Sequence, residues 1–595
     1  DRDRENIRKI REGKITPEFK DLTKTALLVV ESPNKARTIA RFFGKPVRRK
    51  FQTLETFEIA TPTAVINITS SLGHVLDLVE TEGFDGVNVT KSGKHPEFVP
   101  IYSTIKKCKA CGEQFVGFST CPKCKSSNIF DKRDLIESLQ SLAEEVDAVL
   151  LGTDPDIEGE KIAYDLFCLL KPFNSTIKRV EFHEVTRKAI KKAFDEKHDV
   201  NKALVEAQIV RRIEDRWIGF ELSKILWRRF KDKTLSAGRV QTPVLGWIIE
   251  KTSEAKEKIP LATVSTECGT FLFRNVKAQE LKKHDVVQID VSEEEIELNP
   301  PPPFTTDTLL KEANRVLKFS ADKTMRLAQE LFESGLITYH RTDSTHISTA
   351  GINLAKNYLV NKNLEHLFKA RAFGKEGTHE AIRPTKPIDV RELRNFIAQG
   401  VFHFPLLKNE HFQLYALIFN RFIASQCKPA KIKKQVVIAR LGNKIAEQER
   451  IIDLIDEGFL HFIKVRIYPS LKPGQYRITA TRVKYVPKTY PYSQGDVISL
   501  MKEKSIGRPS TYAKIVQTLI ERRYVVERKL FLISTKRGQA VFNFLVKNFE
   551  PYVSESFTRK LEAEIDAIEQ KRRSPEDVLI SLYDEIVKLP EISIE

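Results

Sequence analysis

Tyr339 and Arg341 stand two residues apart in the string Gly335-Leu336-Ile337-Thr338-Tyr339-His340-Arg341-Thr342-Asp343-Ser344. A tyrosine hydroxyl titrates near ~10 and is a weak nucleophile at neutral pH. A fixed guanidinium beside it favours the phenolate and stabilises charge gathering on a phosphoryl oxygen. The competing reading of such a pair is an ordinary core tyrosine next to a surface arginine. Asp154, Asp156 and Glu158 follow at i, i+2, i+4 in Asp154-Pro155-Asp156-Ile157-Glu158-Gly159-Glu160. Their hard oxygens suit Mg²⁺; their competing role is to decorate a helix N-terminus, which the macrodipole also favours. Cys108, Cys111, Cys121 and Cys124 form two CxxC pairs nine residues apart, a spacing that matches tetrahedral Zn²⁺ ligation by thiolates. Lys106, Lys107, Lys109, Lys123 and Lys125 surround them, where buried structural cysteines would sit among apolar residues. Cys168, Cys268 and Cys427 are isolated and expected in cores.

These groups need elements to position them. Residues 26–30 are a short apolar run of β-formers ending at Glu31, followed by a helical pattern through Ala36, Ile39, Ala40 and Phe43. Residues 148–152 are a second buried strand ending at Asp154, with a helix from about Glu158 to Leu170. Strand-then-helix units imply a parallel sheet, which places ligands outside the carboxyl ends of its strands. Glu31 and Asp154 can therefore meet across 123 positions, and Glu31 adds a further carboxylate to the metal set. Residues 185–230 read as helical, with Gln208, Arg211, Arg212, Asp215 and Arg216 grouped; 256–300 and 430–490 alternate as strands do. Residues 304–426 read as mainly helical and hold Tyr339, and the chain from about 491 is helical and basic.

Four further strings join the tyrosine string in order. Val30-Glu31-Ser32-Pro33-Asn34-Lys35-Ala36-Arg37-Thr38-Ile39 resembles the start of a Toprim domain, and the acidic string resembles that domain's metal site. With Ser236-Ala237-Gly238-Arg239-Val240-Gln241-Thr242-Pro243 and His379-Glu380-Ala381-Ile382-Arg383-Pro384-Thr385, the chain resembles a type IA DNA topoisomerase from about residue 26 to 569. The knuckle inserted in the Toprim half, and Ile157 where the family usually has Arg, resemble the topoisomerase half of reverse gyrases. The resemblance implies a multidomain α/β plus α+β fold: a Toprim α/β domain with a zinc-knuckle insert, and helical and β-rich domains closing a ring. The expected division is a charged connector over 1–24 and Toprim over 25–170, with the knuckle at about 105–128. A helical DNA-binding domain follows over 171–254 and 491–595, a β-rich arch over 255–299 and 427–490, and the tyrosine domain over 300–426.

The resemblance also implies roles. Tyr339 attacks a backbone phosphorus, takes the 5′ phosphate and frees a 3′ hydroxyl. Arg341 stabilises the pentavalent charge, Lys35 holds a phosphate oxygen, and Glu31 exchanges a proton with the 3′ oxygen. Mg²⁺ sits at Glu31, Asp154, Asp156 and Glu158. His379 supports the scissile strand or is a satisfied structural histidine. Arg211, Arg212, Asp215, Arg239, Gln241, Arg383 and Arg508 are expected at DNA. A stand-alone topoisomerase that relaxes negative supercoils is the alternative; a Toprim nuclease or primase, or an inactive ring-shaped DNA-binding protein, is more distant.

Composition agrees with a polyanionic partner: 595 residues carry a formal net charge of +18. No apolar run reaches the ~18 residues of a membrane span, and no signal pattern opens the chain. The expected place is the cytoplasm, on the nucleoid. Only two Met and 30% charged residues are compatible with a thermophilic source. No Gly-x4-Gly-Lys-Ser/Thr loop occurs, so ATP would act only through a helicase module outside this chain, expected ahead of Asp1.

Overall fold

The structure, a computed structural model, describes residues 5, 8–9, 11–14, 24–61, 64–92, 95–375, 377, 379–402 and 407–589. The connector expected over 1–24 lies almost wholly outside the described residues.

The strand Lys24–Val30 is the centre of a six-stranded sheet. Its neighbours Ala148–Gly152 and Ala64–Ser70 run parallel to it, Ile177–Arg179 adds a fourth parallel strand, and Leu54–Ala60 and Val47–Phe51 complete the other edge antiparallel. The sheet thus reaches past the expected boundary at 170, because the strand Ile177–Arg179 is too short to carry a sequence signal of its own. Side chains alternate along Lys24–Val30: Leu27 and Val29 pack on the helices Lys132–Glu144 and Ile157–Leu170, while Leu28 and Val30 face a core shared with residues 304–460. That second face seats the tyrosine string against the sheet. Val30 is in register with Gly152 and Ser70, so Glu31 and the acidic loop emerge side by side at the carboxyl end.

The 29-residue helix Lys202–Phe230 and the helix Gln241–Glu254 share one core with the terminal helices Gln494–Glu503, Tyr512–Glu521, Lys536–Val553, Glu555–Glu569 and Pro575–Ile586. A hairpin, Val525–Arg528 with Phe531–Ser534, interrupts that helical stretch. A second six-stranded sheet is wholly antiparallel and is built from both sides of the 304–426 insertion. It pairs Lys258–Thr266 with Gly474–Pro487, and Val286–Leu298 with Ala430–Leu441. Long-range pairing, not chain order, therefore groups the elements. Among the described residues no helix is long and apolar enough to cross a membrane.

Candidate active site

Two glycines shape the backbone at the site. Gly335 opens the tyrosine string at φ +70°, where a Cβ would stand 2.3 Å from the Val185 carbonyl oxygen. A Cβ on Gly159 would stand 2.1 Å from the Asp154 carbonyl oxygen, so only glycine lets the acidic loop turn into its helix. Asp156 caps that helix, accepting from Gly159 N at 2.8 Å. The tyrosine string is tied on both sides: Tyr339 N donates to His183 O at 2.8 Å, and Thr338 N to Arg383 O at 2.9 Å. Thr306 clamps it from a third side, its hydroxyl reaching His340 O and its amide Thr342 O.

The phenol of Tyr339 donates to Asp156 Oδ2 at 2.5 Å. Arg341 Nη1 bridges Asp156 Oδ2 at 3.1 Å and Glu158 Oε2 at 2.6 Å. Lys35 Nζ is bonded to Asp154 Oδ1, and Glu31 Oε1 accepts from Asp154 N at 2.7 Å. The structure thus brings together Tyr339, Arg341, Glu31, Lys35, Asp154, Asp156 and Glu158. His379 lies beside them, 5.4 Å edge-on to His183 and 6.4 Å from the Tyr339 ring, with a buried Nδ1 that has no partner.

The electrostatics correct one expectation. Tyr339 is 2% exposed, and burial with the Asp156 charge holds its phenol well above its ordinary value, outweighing Arg341. The phenol is therefore protonated, not poised as phenolate. Burial, together with Asp154 and Asp156, pushes the Glu31 carboxyl up to about 8. Burial acts on Asp154 the same way, but Lys35 outweighs it and keeps that carboxyl below the usual range. Burial lowers His379, and takes His340 down to about 3, so both imidazoles are neutral at pH 7.

Oxygen donors from Glu31, Asp154, Asp156 and Glu158 are of the hard type a Mg²⁺-like ion takes. Asp154, Asp156 and Glu158 are paired directly with two cations, Lys35 and Arg341, while Glu31 accepts from the Asp154 amide, so the set keeps a surplus of negative charge that a divalent cation would offset, the more so once Glu31 ionises. No three of their oxygens converge; among the described residues the four cysteines are the group of three or more whose metal-ligating atoms lie within 4.8 Å of one another. Cys108 Sγ is 3.5 Å from Cys124 Sγ and Cys111 Sγ is 3.6 Å from Cys121 Sγ. A Zn–S tetrahedron with ~2.3 Å arms has edges of roughly 3.8 Å, so the sulfurs fit that ion. The backbone amide of Cys111 draws the Cys108 thiol down to about 6, while at Cys111 the Glu113 amide is outweighed by the neighbouring sulfurs, which push that thiol up to about 12. Contrary to the sequence reading, Cys108 and Cys121 do rest on an apolar bed of Phe115, Phe118 and Ile129. Cys168 is exposed and Cys268 half-buried; of the isolated cysteines only Cys427 is a core residue. Cys108→Ser with Cys111→Ser is expected to remove one equivalent of bound zinc, read by metal analysis after dialysis; unchanged stoichiometry would contradict the site.

A cavity of about 510 Å³ opens beside Tyr339, and Asp156, Arg341, His379, Arg211 and Arg508 line it. Arg239 and Arg383, expected at DNA, do not. Arg239 is buried against Asp215 at 2.9 Å and Glu562 at 3.0 Å; Arg383 is buried against Glu380 at 2.6 Å and Glu184 at 3.2 Å. Arg508 pairs with Asp566 at 2.6 Å at the cavity edge, and Arg212 pairs with Asp77 at 2.6 Å in an adjoining cavity. Gln241 is buried at the start of its helix, with weak bonds to Ser236. In this arrangement these side chains are paired within the protein.

Two contributors carried no sequence signal. Gln329, on the helix Ala321–Glu333, donates to Asp154 Oδ2 at 3.3 Å. Arg179 is fully buried, bonding Glu160 and the carbonyls of Leu151, Thr153, Asp154 and Val180, so it fixes the backbone of the acidic loop from beneath. Glu160 also accepts from Asn201 N at 2.6 Å and thus belongs to this support, not to the metal set. Arg179→Ala leaves a buried carboxylate and several carbonyls unpaired; a loss of about 3–5 kcal/mol in unfolding free energy is expected from denaturant titration.

Residues 199–580 match the DNA topoisomerase family and residues 26–185 match the Toprim domain. The chain is 48% identical to the reverse gyrase of Pyrococcus furiosus, over 99% of this chain and 49% of that protein. It is 46% identical to reverse gyrase 1 of Aquifex aeolicus, over 98% of this chain and 50% of that one. The chain thus spans about half the length of the curated relatives it matches. The structure is similar to full-length topoisomerase I from Thermotoga maritima, with a TM-score of 0.71 and 28% identity, covering 95% of this chain and 90% of the other. A Toprim domain implies a divalent metal, and the cysteine set could hold zinc.

Proposed function

The chain belongs to the type IA DNA topoisomerase family and is reverse-gyrase-like, and we propose that it breaks and reseals one DNA strand through a 5′-phosphotyrosine link at Tyr339. The observation that carries this reading is the Tyr339 hydroxyl bonded to Asp156 while Arg341 bridges Asp156 and Glu158. In the cleavage step the Tyr339 oxygen bonds to phosphorus and the bond to the 3′ oxygen breaks. Asp156 is within reach to take the phenolic proton, and Glu31 supplies a proton to the departing 3′ oxygen. Arg341 and Lys35 balance charge on the phosphoryl oxygens. Resealing reverses each transfer, so the strand break needs no external energy. A Mg²⁺ ion held by Glu31, Asp154, Asp156 and Glu158 would neutralise phosphate charge and orient the broken ends. His379, neutral and beside the tyrosine ring, orients the strand. Because Tyr339 is buried, strand entry requires the tyrosine string to part from the acidic loop; Arg211 and Arg508 meet the strand first at the cavity, and Arg212, Asp215, Arg239, Gln241 and Arg383 engage it as their internal pairs open.

We further propose that the chain is the topoisomerase module of a reverse gyrase. Positive supercoiling raises the free energy of DNA, and cleavage with resealing is nearly isoenergetic, so ATP hydrolysis in a helicase module must drive it. These 595 residues, which hold no phosphate-binding loop, should relax negative supercoils with ATP making no difference. Two-dimensional gels of plasmid topoisomers at high temperature test this. Positive supercoils should appear only when a helicase module is fused or added. ATP-dependent positive supercoils from this chain alone would refute the reading, and no gain from any helicase module would favour a stand-alone relaxing enzyme.

A further inference from the structure

The long helix Lys202–Phe230 touches the proposed cleavage site at one end and presents a separate basic surface at the other. Arg211 lines the cavity beside Arg341. Farther along, Glu221, Lys224, Trp227, Arg228, Lys231 and Lys233 line an open groove of about 730 Å³. The acids near this groove are already engaged. Lys224 holds both Asp85 and Glu221 at 2.7 Å, and Asp232 pairs with Arg537 at 2.9 Å. Arg228, Arg229, Lys231 and Lys233 have no acidic partner among the described residues and are exposed.

Helix-end electrostatics do not account for this cluster. Cations in the last turn gain about 0.3–1 kcal/mol from the macrodipole, which covers Arg228 and Arg229. Lys231 and Lys233 lie beyond the helix, and Lys231 holds a left-handed conformation at φ +50°, where glycine or asparagine is the easier residue. Trp227 forms the groove's apolar wall, half-buried, with its indole fixed by a bond to Leu235 O at 2.7 Å. Free cations around a held aromatic face are the chemistry that binds a nucleic-acid backbone and stacks a base.

We propose that this groove is a second DNA contact, gripping the strand outside the segment that lies in the cleavage cavity. The inference rests on the strand-cleavage reading above. Arg228 follows Arg211 by 17 residues on one continuous helix. At ~1.5 Å per residue the separation is about 26 Å, which about eight nucleotides cover at the ~3.4 Å rise of a B-form strand. The helix is thus a ruler that sets how much DNA on one side of the cut the protein holds.

The test uses single-stranded DNA just long enough to be cut, and the same strand extended by ten nucleotides on either side. The parent chain should bind one of the two extended strands about tenfold more tightly than the short one at 0.1 M salt. Arg228→Ala with Arg229→Ala and Lys233→Ala should lose that gain and lower the slope of log affinity against log salt by about 2. Lys231 is kept to preserve the helix end. The charge-preserving set Arg228→Lys, Arg229→Lys and Lys233→Arg should retain the gain, which separates charge from folding. An undiminished gain and salt slope in the alanine variant, or no gain from either extension in the parent, would overturn the groove. Covalent adduct on the short strand reads the cleavage proposal separately: its absence in the parent would sink that proposal, while the affinity series still decides the groove.

Discussion

Tyr339→Phe should lose relaxation and covalent attachment to DNA by about 10⁴-fold or more, the order found when the nucleophile of a covalent enzyme is removed. Binding of single-stranded DNA should stay within about twofold. The substitution deletes one hydroxyl and its bond to Asp156, while the ring keeps its edge contact with Phe332 at a centroid distance of 5.1 Å. The fold cost is therefore about 1 kcal/mol, too small to unfold a chain of this size. Persisting adduct in this variant would place the nucleophile elsewhere.

The second large effect concerns Glu31. Its carboxyl is pushed up to about 8, first by burial and then by Asp154 and Asp156, so at neutral pH it holds a proton, which under the proposed mechanism passes to the 3′ oxygen. Glu31→Gln should slow strand cleavage by about 10²–10⁴-fold. Single-strand cleavage by the parent, measured as adduct formed per unit time, should fall as pH rises through about 8, and the variant should show no such limb. Stability moves in the same direction. A carboxyl whose folded value lies above its ordinary 4.5 favours the fold most below 4.5 and loses that contribution as pH rises to about 8. Thermal unfolding of Glu31→Gln should accordingly vary less across that window than unfolding of the parent. A parent cleavage rate independent of pH between 6 and 9 would remove Glu31 from the acid role.

The site was legible in the sequence where its parts are local. The strand ending at Glu31, the strand ending at the acidic loop, and the paired CxxC knuckles all lie within a few residues of their own signals. Their convergence was legible too, because consecutive strand–helix units dictate a parallel sheet. What escaped was set by distant pairing. Arg179 belongs to a three-residue strand, yet it donates to four carbonyls and a carboxylate. Arg239, expected at DNA, is held by Glu562, 323 positions away, as well as by Asp215; for Arg383 one partner, Glu380, lies three residues off in the same string, but the burial that turns this pair inward, with Glu184 199 positions away, carries no local signal. Spacing places Arg341 beside the phenol but does not reveal the burial that keeps Tyr339 protonated.

The most direct test is label transfer. Single-stranded DNA labelled at its 3′ end, and the same strand labelled at its 5′ end, are each incubated with the chain and Mg²⁺, denatured, and separated on a gel. Attachment through a 5′ phosphate keeps the downstream fragment on the protein. The 3′ label should migrate with the protein and map to the peptide holding Tyr339, while the 5′ label should leave on a free fragment ending in a 3′ hydroxyl. Protein carrying the 5′ label, or no labelled protein from either strand, would contradict the account.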